Sequence, residues 1–149
     1  MNYLDASALV KRYVSEPGRH WVEHQLRSVE AHYTSAISYA EVHAALARRY
    51  WQGDLKHIAF RRARTQFERD WLQLQEIAVD NDTMGPVRVL VQRVRLRGMD
   101  AIHLAAAVWL TRRFGHAPRF ISSDPRLIQA ARQFGFAATD PVEAEGKAP

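Results

Sequence analysis

Apolar positions recur along the chain with two different periods, and the way the periods take turns predicts an α/β fold. Short apolar runs at residues 2–4, 32–34, 77–79, 119–122 and 136–138 read as strands. The intervening stretches repeat at helical spacing. Residues 6–14 form a helix broken by the turn Glu16-Pro17-Gly18, and residues 20–27 form a second with Trp21, Val22 and Leu26 on one side. Ser38 starts a third, whose apolar side carries Val42, Ala45, Leu46 and Tyr50. The clearest amphipathic helix follows Gly53-Asp54: Leu55, Ile58, Ala59, Ala63, Phe67, Trp71 and Leu74 share one face, and arginines occupy the other.

Further on, Val87, Leu90, Val91 and Val94 mark a helix that Gly98 ends. Asp100 opens a helix over residues 101–114 that is apolar enough to require burial, and residues 125–134 form the last. Strands alternating with helices predict a three-layer α/β/α arrangement, with a short-stranded, mostly parallel central sheet flanked by helices. Residues 1–140 are expected to make one domain. The segment 141–149, rich in Pro, Glu, Gly and Ala, reads as a disordered tail.

Composition narrows the chemistry. With 47% hydrophobic and 25% charged residues in 149 positions, the chain resembles an ordinary globular protein with a core of its own. It has no cysteine, so disulfides, thiol catalysis and cysteine-based zinc sites are excluded. No leader segment precedes the first apolar run. The longest unbroken apolar stretch, 104–110, falls far short of the roughly 20 residues of a membrane span. The expectation is a cytoplasmic protein. The formal net charge is +5, with arginines grouped at 48, 49, 61, 62, 64 and 69 and again at 88, 93, 95 and 97. Such faces attract phosphate backbones without reading sequence, and they equally serve as solvated helix surfaces.

Four acids fall at one edge of the expected sheet. Asp5 follows the first strand, Asp124 follows the strand that holds Phe120 and Ile121, Glu41 lies in the first turn of the Ser38 helix, and Asp100 begins the buried helix. Strand C-termini and the helix N-termini after them share the edge where such folds bind ligands. Each acid also has a plain structural use. Asp5, Asp100 and Asp124 can cap helices, the last with Pro125 at the first helical position. Ser38-Tyr39-Ala40-Glu41 reads as a capping box, with Glu41 reaching back to the Ser38 amide. Capping leaves acceptor capacity on a carboxylate, so one residue can cap and coordinate at once. Clustered carboxylates repel unless protonated or neutralised, and an all-oxygen set favours Mg²⁺ or Mn²⁺ over zinc.

The residues around these acids carry a family resemblance. Tyr3-Leu4-Asp5-Ala6-Ser7-Ala8-Leu9-Val10-Lys11 resembles the opening motif of PIN domains of the VapC toxin type. Ser38-Tyr39-Ala40-Glu41-Val42 is similar to the second motif and Leu96-Arg97-Gly98-Met99-Asp100-Ala101-Ile102-His103-Leu104-Ala105 to the third. Phe120-Ile121-Ser122-Ser123-Asp124-Pro125-Arg126-Leu127 is similar to the fourth. The departures are small: Gly98-Met99 before Asp100, and Ser122 where threonine is common.

The resemblance implies a metal-dependent endoribonuclease, with Asp5, Glu41, Asp100 and Asp124 as catalytic and metal-holding residues for Mg²⁺ or Mn²⁺. It implies an RNA substrate such as tRNA or ribosomal RNA, a small cognate antitoxin that blocks the site, and a homodimer. Ser7 and Ser122 are candidates to bond the carboxylates or a phosphate, and Arg97 and Arg126 to bind the phosphate backbone. His103 reads as a packed residue rather than a catalytic one. A phosphoaspartyl phosphatase would need an aspartate where Ser7 stands, and a receiver domain would lack the arginine-rich faces. The alternative to a nuclease is a PIN module that binds RNA or protein without cutting.

Overall fold

In the computed structural model, which describes residues 1–147, five parallel strands form one sheet. They are β1 (Asn2–Leu4), β2 (His32–Ser35), β3 (Gln75–Ile77), β4 (Arg119–Ile121) and β5 (Ala138–Thr139). Their order is β3-β2-β1-β4-β5, with Asn2 in register with His32 on one side and Arg119 on the other. β1 is therefore central and buried on both faces. Tyr3 points into one hydrophobic cluster and Leu4 into another, as strand alternation requires.

On the Tyr3 face lie α5 (Asn81–Met84), α6 (Val87–Arg93), α7 (Gly98–Phe114) and α8 (Pro125–Gln133). α7 has no polar stripe, and Ala101, Leu104, Ala105, Ala106, Ala107 and Leu110 are all buried, so it runs through the core. Its run of alanines permits close approach to the sheet, and Gly115, at φ +77°, closes it in the left-handed conformation. On the Leu4 face lie α1 (Ala6–Leu9), a 3-10 turn (Val10–Tyr13), α3 (Ile37–Trp51) and α4 (His57–Trp71), packed through Leu9, Val42, Leu46, Phe67 and Ile121. α2 (Arg19–Leu26) covers the 3-10 turn. Two layers of helices thus enclose the sheet, as the apolar pattern predicts. Among the described residues, no helix is long and apolar enough to cross a membrane.

Several elements differ from expectation for local reasons. The third strand ends at Ile77 rather than continuing to Val79. The chain leaves the sheet there because Asp80 caps α5, accepting from the amides of Asp82 and Thr83 while the Thr83 hydroxyl receives the Asp80 amide. The helix expected from Ser38 begins one residue earlier, and its cap is Ala36 without a side-chain bond. Ser38 Oγ instead pairs with Thr34 Oγ1 at 2.7 Å, so the expected capping box with Glu41 does not form. Asp100 is not the cap of the buried helix. α7 opens at Gly98 after Arg97, which leaves Asp100 within the first turn.

The disordered tail expected after Asp140 is corrected as well. α9 (Pro141–Glu145) is a helix capped by Asp140, with its proline at the first position. Glu145 accepts from the backbone amides of Gly18 at 2.6 Å and Trp21 at 3.2 Å, closing the start of α2. The end of the expected tail, residues 148–149, lies outside the described residues.

Candidate active site

From β1 the chain winds outward to β2 and β3 on one side, then returns to place β4 and β5 on the other. The sheet order reverses beside β1, and in open parallel sheets the crevice beyond the strand C-termini at such a point is where ligands bind. Asp5 lies there directly after β1, and Asp124 lies just beyond β4. Asp100 comes from the first turn of α7 and Glu41 from the first half of α3. All four acids line a single cleft of about 690 Å³, with Ser7, Ser123 and His103 between them. Lys11, Arg48, Arg49 and Arg97 line the same cleft, where Glu16 pairs with Lys11 and Arg49.

Asp5 is the most deeply set of the four, at 3% exposure. Its Oδ1 accepts the Ala8 amide at 2.9 Å, which makes it the cap of α1 as its sequence position predicts. Ser7 Oγ lies 2.8 and 2.9 Å from its two oxygens, and Ser122 Oγ donates to Oδ2 at 2.8 Å. The two serines also knit the β1 and β4 loops together. The Ser123 amide donates to Ser7 Oγ and the Asp124 amide to Ser122 Oγ. Burial pushes the Asp5 carboxyl above its ordinary range, against the pull of nearby His103 and the donors around it.

Asp124 caps α8, accepting from the amides of Arg126 at 2.8 Å and Leu127 at 3.4 Å. Asp100 is raised by burial and then by the like charge of Asp124. A like-charged neighbour that adds to the rise at Asp100 calls for a cation between or beside the two acids. Among the described residues no three His, Asp or Glu side chains close into a ready-made coordination group. By its chemistry alone, an all-carboxylate donor set suits a hard, hydrated ion that takes one or two carboxylates and keeps several waters.

Of the other candidate residues, Ser7 and Arg97 line the cleft. Ser122 is wholly buried and does not line the cleft, meeting it through its bonds to Asp5 and the Asp124 amide. The structure does not bring Arg126 into the cleft: its side chain is exposed on α8, and only its backbone amide meets Asp124. His103 is packed, as expected, but it also bonds Glu41, a link the sequence reading missed. The available signal was spacing, since residues 100 and 103 share a helix face and residues 3 and 5 a strand face.

The chain matches the PIN domain family over residues 3–133. It belongs to the PIN-domain family. Among PIN-domain proteins it is 33% identical to "Ribonuclease VapC47" of Mycobacterium tuberculosis over 147 residues, covering 95% of this chain and 97% of that one. It is 34% identical to "Ribonuclease VapC46" of the same species over 139 residues, covering 93% and 96%. The PIN fold also superposes on a toxin-antitoxin complex from Klebsiella pneumoniae, with a TM-score of 0.62, 20% identity and coverage of 95% and 98%. FitAcB from Neisseria gonorrhoeae gives a TM-score of 0.64 at 17% identity, with the same coverage.

Proposed function

We propose that this PIN domain is a VapC-type endoribonuclease toxin that hydrolyses phosphodiester bonds of RNA, tRNA or ribosomal RNA, in its acidic cleft. The observation that carries the reading is the convergence of Asp5, Glu41, Asp100 and Asp124 on one cleft at the reversal point of the sheet. Relatives named as ribonucleases along nearly the whole chain support it. The four carboxylates would hold Mg²⁺ or Mn²⁺. When bound, such an ion lowers the pKa of a coordinated water and offsets charge on the phosphate under attack.

The chain's own residues divide the remaining work. Ser7, Ser122 and the Ala8 amide keep the Asp5 carboxylate in one orientation. Lys11, Arg48, Arg49 and Arg97 counter the repulsion between a polyanion and an acidic floor, and they guide the backbone along the cleft. Specificity for one RNA would lie in the shape of that basic extension.

The reading includes a small antitoxin partner, in keeping with the toxin-antitoxin complex among the structural neighbours. It also includes a homodimer and a place of action in the cytoplasm, where both substrate and partner would be met. Sedimentation of the purified chain tests the dimer. The deciding experiment is incubation of total cellular RNA with the protein, with and without Mg²⁺ or Mn²⁺, beside Asp5→Asn. Discrete fragments that need the metal and vanish in the variant are expected. RNA bound but never cut, under either metal, would replace the nuclease with a non-catalytic binding module.

A further inference from the structure

Three elements that the sheet and its two helical layers hold apart are joined by one buried chain of side chains. Tyr3 of β1 lies 2.7 Å through its hydroxyl from Nδ1 of His103 on α7, and Nε2 of His103 lies 2.7 Å from Oε2 of Glu41 on α3. Tyr3 is fully buried and His103 is 2% exposed, whereas the Glu41 side chain is 29% exposed and lines the cleft. Among the described residues, His103 is the only hydrogen-bond partner of the Glu41 side chain.

The proton positions follow from chemistry. A carboxylate only accepts, so Nε2 carries the hydrogen that Glu41 receives. In the tautomer that leaves Nδ1 bare, the Tyr3 hydroxyl donates to it. Tyr3 is itself immobile, with its ring stacked on Phe120 at 5.2 Å and edge-on to His103 at 6.0 Å. A glutamate near a helix start commonly folds back onto a capping residue, but Ser38 is engaged with Thr34 and leaves Glu41 free to turn toward α7. A side chain that lines the cleft is thereby tied by one oxygen to a rigid anchor, while among the described residues the other has no hydrogen-bond partner.

We infer that His103, oriented by Tyr3, is the positioning residue of the cleft: it fixes the Glu41 carboxylate for the cation that the proposed function requires. The inference rests on that functional reading for the cation, but not for the hydrogen-bond chain itself. Partners of this kind behind a metal-holding carboxylate are worth about 10- to 100-fold in metal affinity.

The test uses the purified, RNA-free protein and Mn²⁺ as the probe. His103→Asn keeps a group near Nδ1 but cannot reach Glu41, whereas His103→Gln sets an amide near Nε2. Mn²⁺ titration followed by electron paramagnetic resonance is expected to show about tenfold weaker binding in His103→Asn. Most of that loss should return in His103→Gln, and none should be added by His103→Asn in a Glu41→Gln background. Tyr3→Phe keeps the aromatic stack and should weaken binding by a smaller factor, which serves where His103→Asn does not fold. Separately, ¹⁵N spectra of the metal-free imidazole should report a proton on Nε2.

Wild-type Mn²⁺ affinity in both folded His103 variants and in Tyr3→Phe, or a loss that persists in the Glu41→Gln background, overturns the inference alone. A ring protonated on Nδ1 and not on Nε2 overturns it without reference to metal. Wild-type protein that binds no Mn²⁺ overturns the functional reading together with it.

Discussion

Ser122 Oγ donates to Asp5 Oδ2 at 2.8 Å while accepting the backbone amide of Asp124 at 3.0 Å, so one buried hydroxyl connects two of the four acids. Ser122→Ala takes a donor from Asp5 and leaves the Asp124 amide without its acceptor. An unsatisfied buried group costs about 1–3 kcal/mol. Chemical denaturation should show a stability loss of that size, and metal-dependent cleavage should fall about tenfold or more as Asp5 loosens.

Asp5→Asn separates chemistry from folding. Burial disfavours the Asp5 charge, so removing it relieves a penalty even as it weakens the contacts from Ser7 and Ser122. Metal-free thermal melting should change little, whereas cleavage should drop to background. Saturating Mg²⁺ or Mn²⁺ should raise the melting temperature of the wild type and not that of the variant, because an ion bound only by the folded state stabilises it.

The arginines of the cleft are separable from those outside it. Arg48 and Arg97 line the cleft, and Arg126 stands apart on α8. Replacing either of the first two by Ala should weaken RNA binding and reduce the slope of log affinity against log salt by about 0.7 per lost phosphate contact on single-stranded RNA. Arg126→Ala should leave both quantities close to the wild type. Filter binding across a salt series makes the comparison.

The α9 dock should respond to acid. Hydrogen bonds from the Gly18 amide, with smaller help from Trp21 and His20, hold the Glu145 carboxyl below its ordinary range. A group whose folded pKa is depressed contributes stability that is present above its unfolded value and lost as pH falls through the folded one. Amide exchange at Gly18 and Trp21 should therefore become less protected as the solution passes down through and below the usual glutamate range. In Glu145→Gln that pH dependence should disappear.

The sheet, its helical layers and the convergence of the four acids were all legible in the sequence, because strand ends and helix starts fix where an acid can stand. The caps at Asp5 and Asp124 held, and those read at Ser38 and Asp100 failed. Ser38 and Glu41 fit the local capping rule, yet Thr34, four residues before Ser38, and His103, brought close only by the fold, took their hydrogen bonds. The start of the Asp100 helix was misplaced by three residues because Gly98 starts a helix rather than ending one. The tail was misread by composition alone. Asp140-Pro141 repeats the Asp124-Pro125 pattern that correctly opened α8, and the same rule applied twice would have found α9. Asp80-Asn81-Asp82-Thr83 likewise held a capping box for α5 that went unread.

The pairing of β1 with β4 also sets a timetable for the growing chain. β1 lies at the centre of the sheet, yet one of its two neighbours arrives 117 residues later. Until then β1 has an open edge, Asp5 lacks Ser122, and Asp124 has not been synthesised. Such distant pairing is slow to form, since a long loop must close before any contact rewards it. The cleft is therefore incomplete until β4 and the loop after it have been made. A ribosome translating such a chain would meet no assembled acidic cleft before that point.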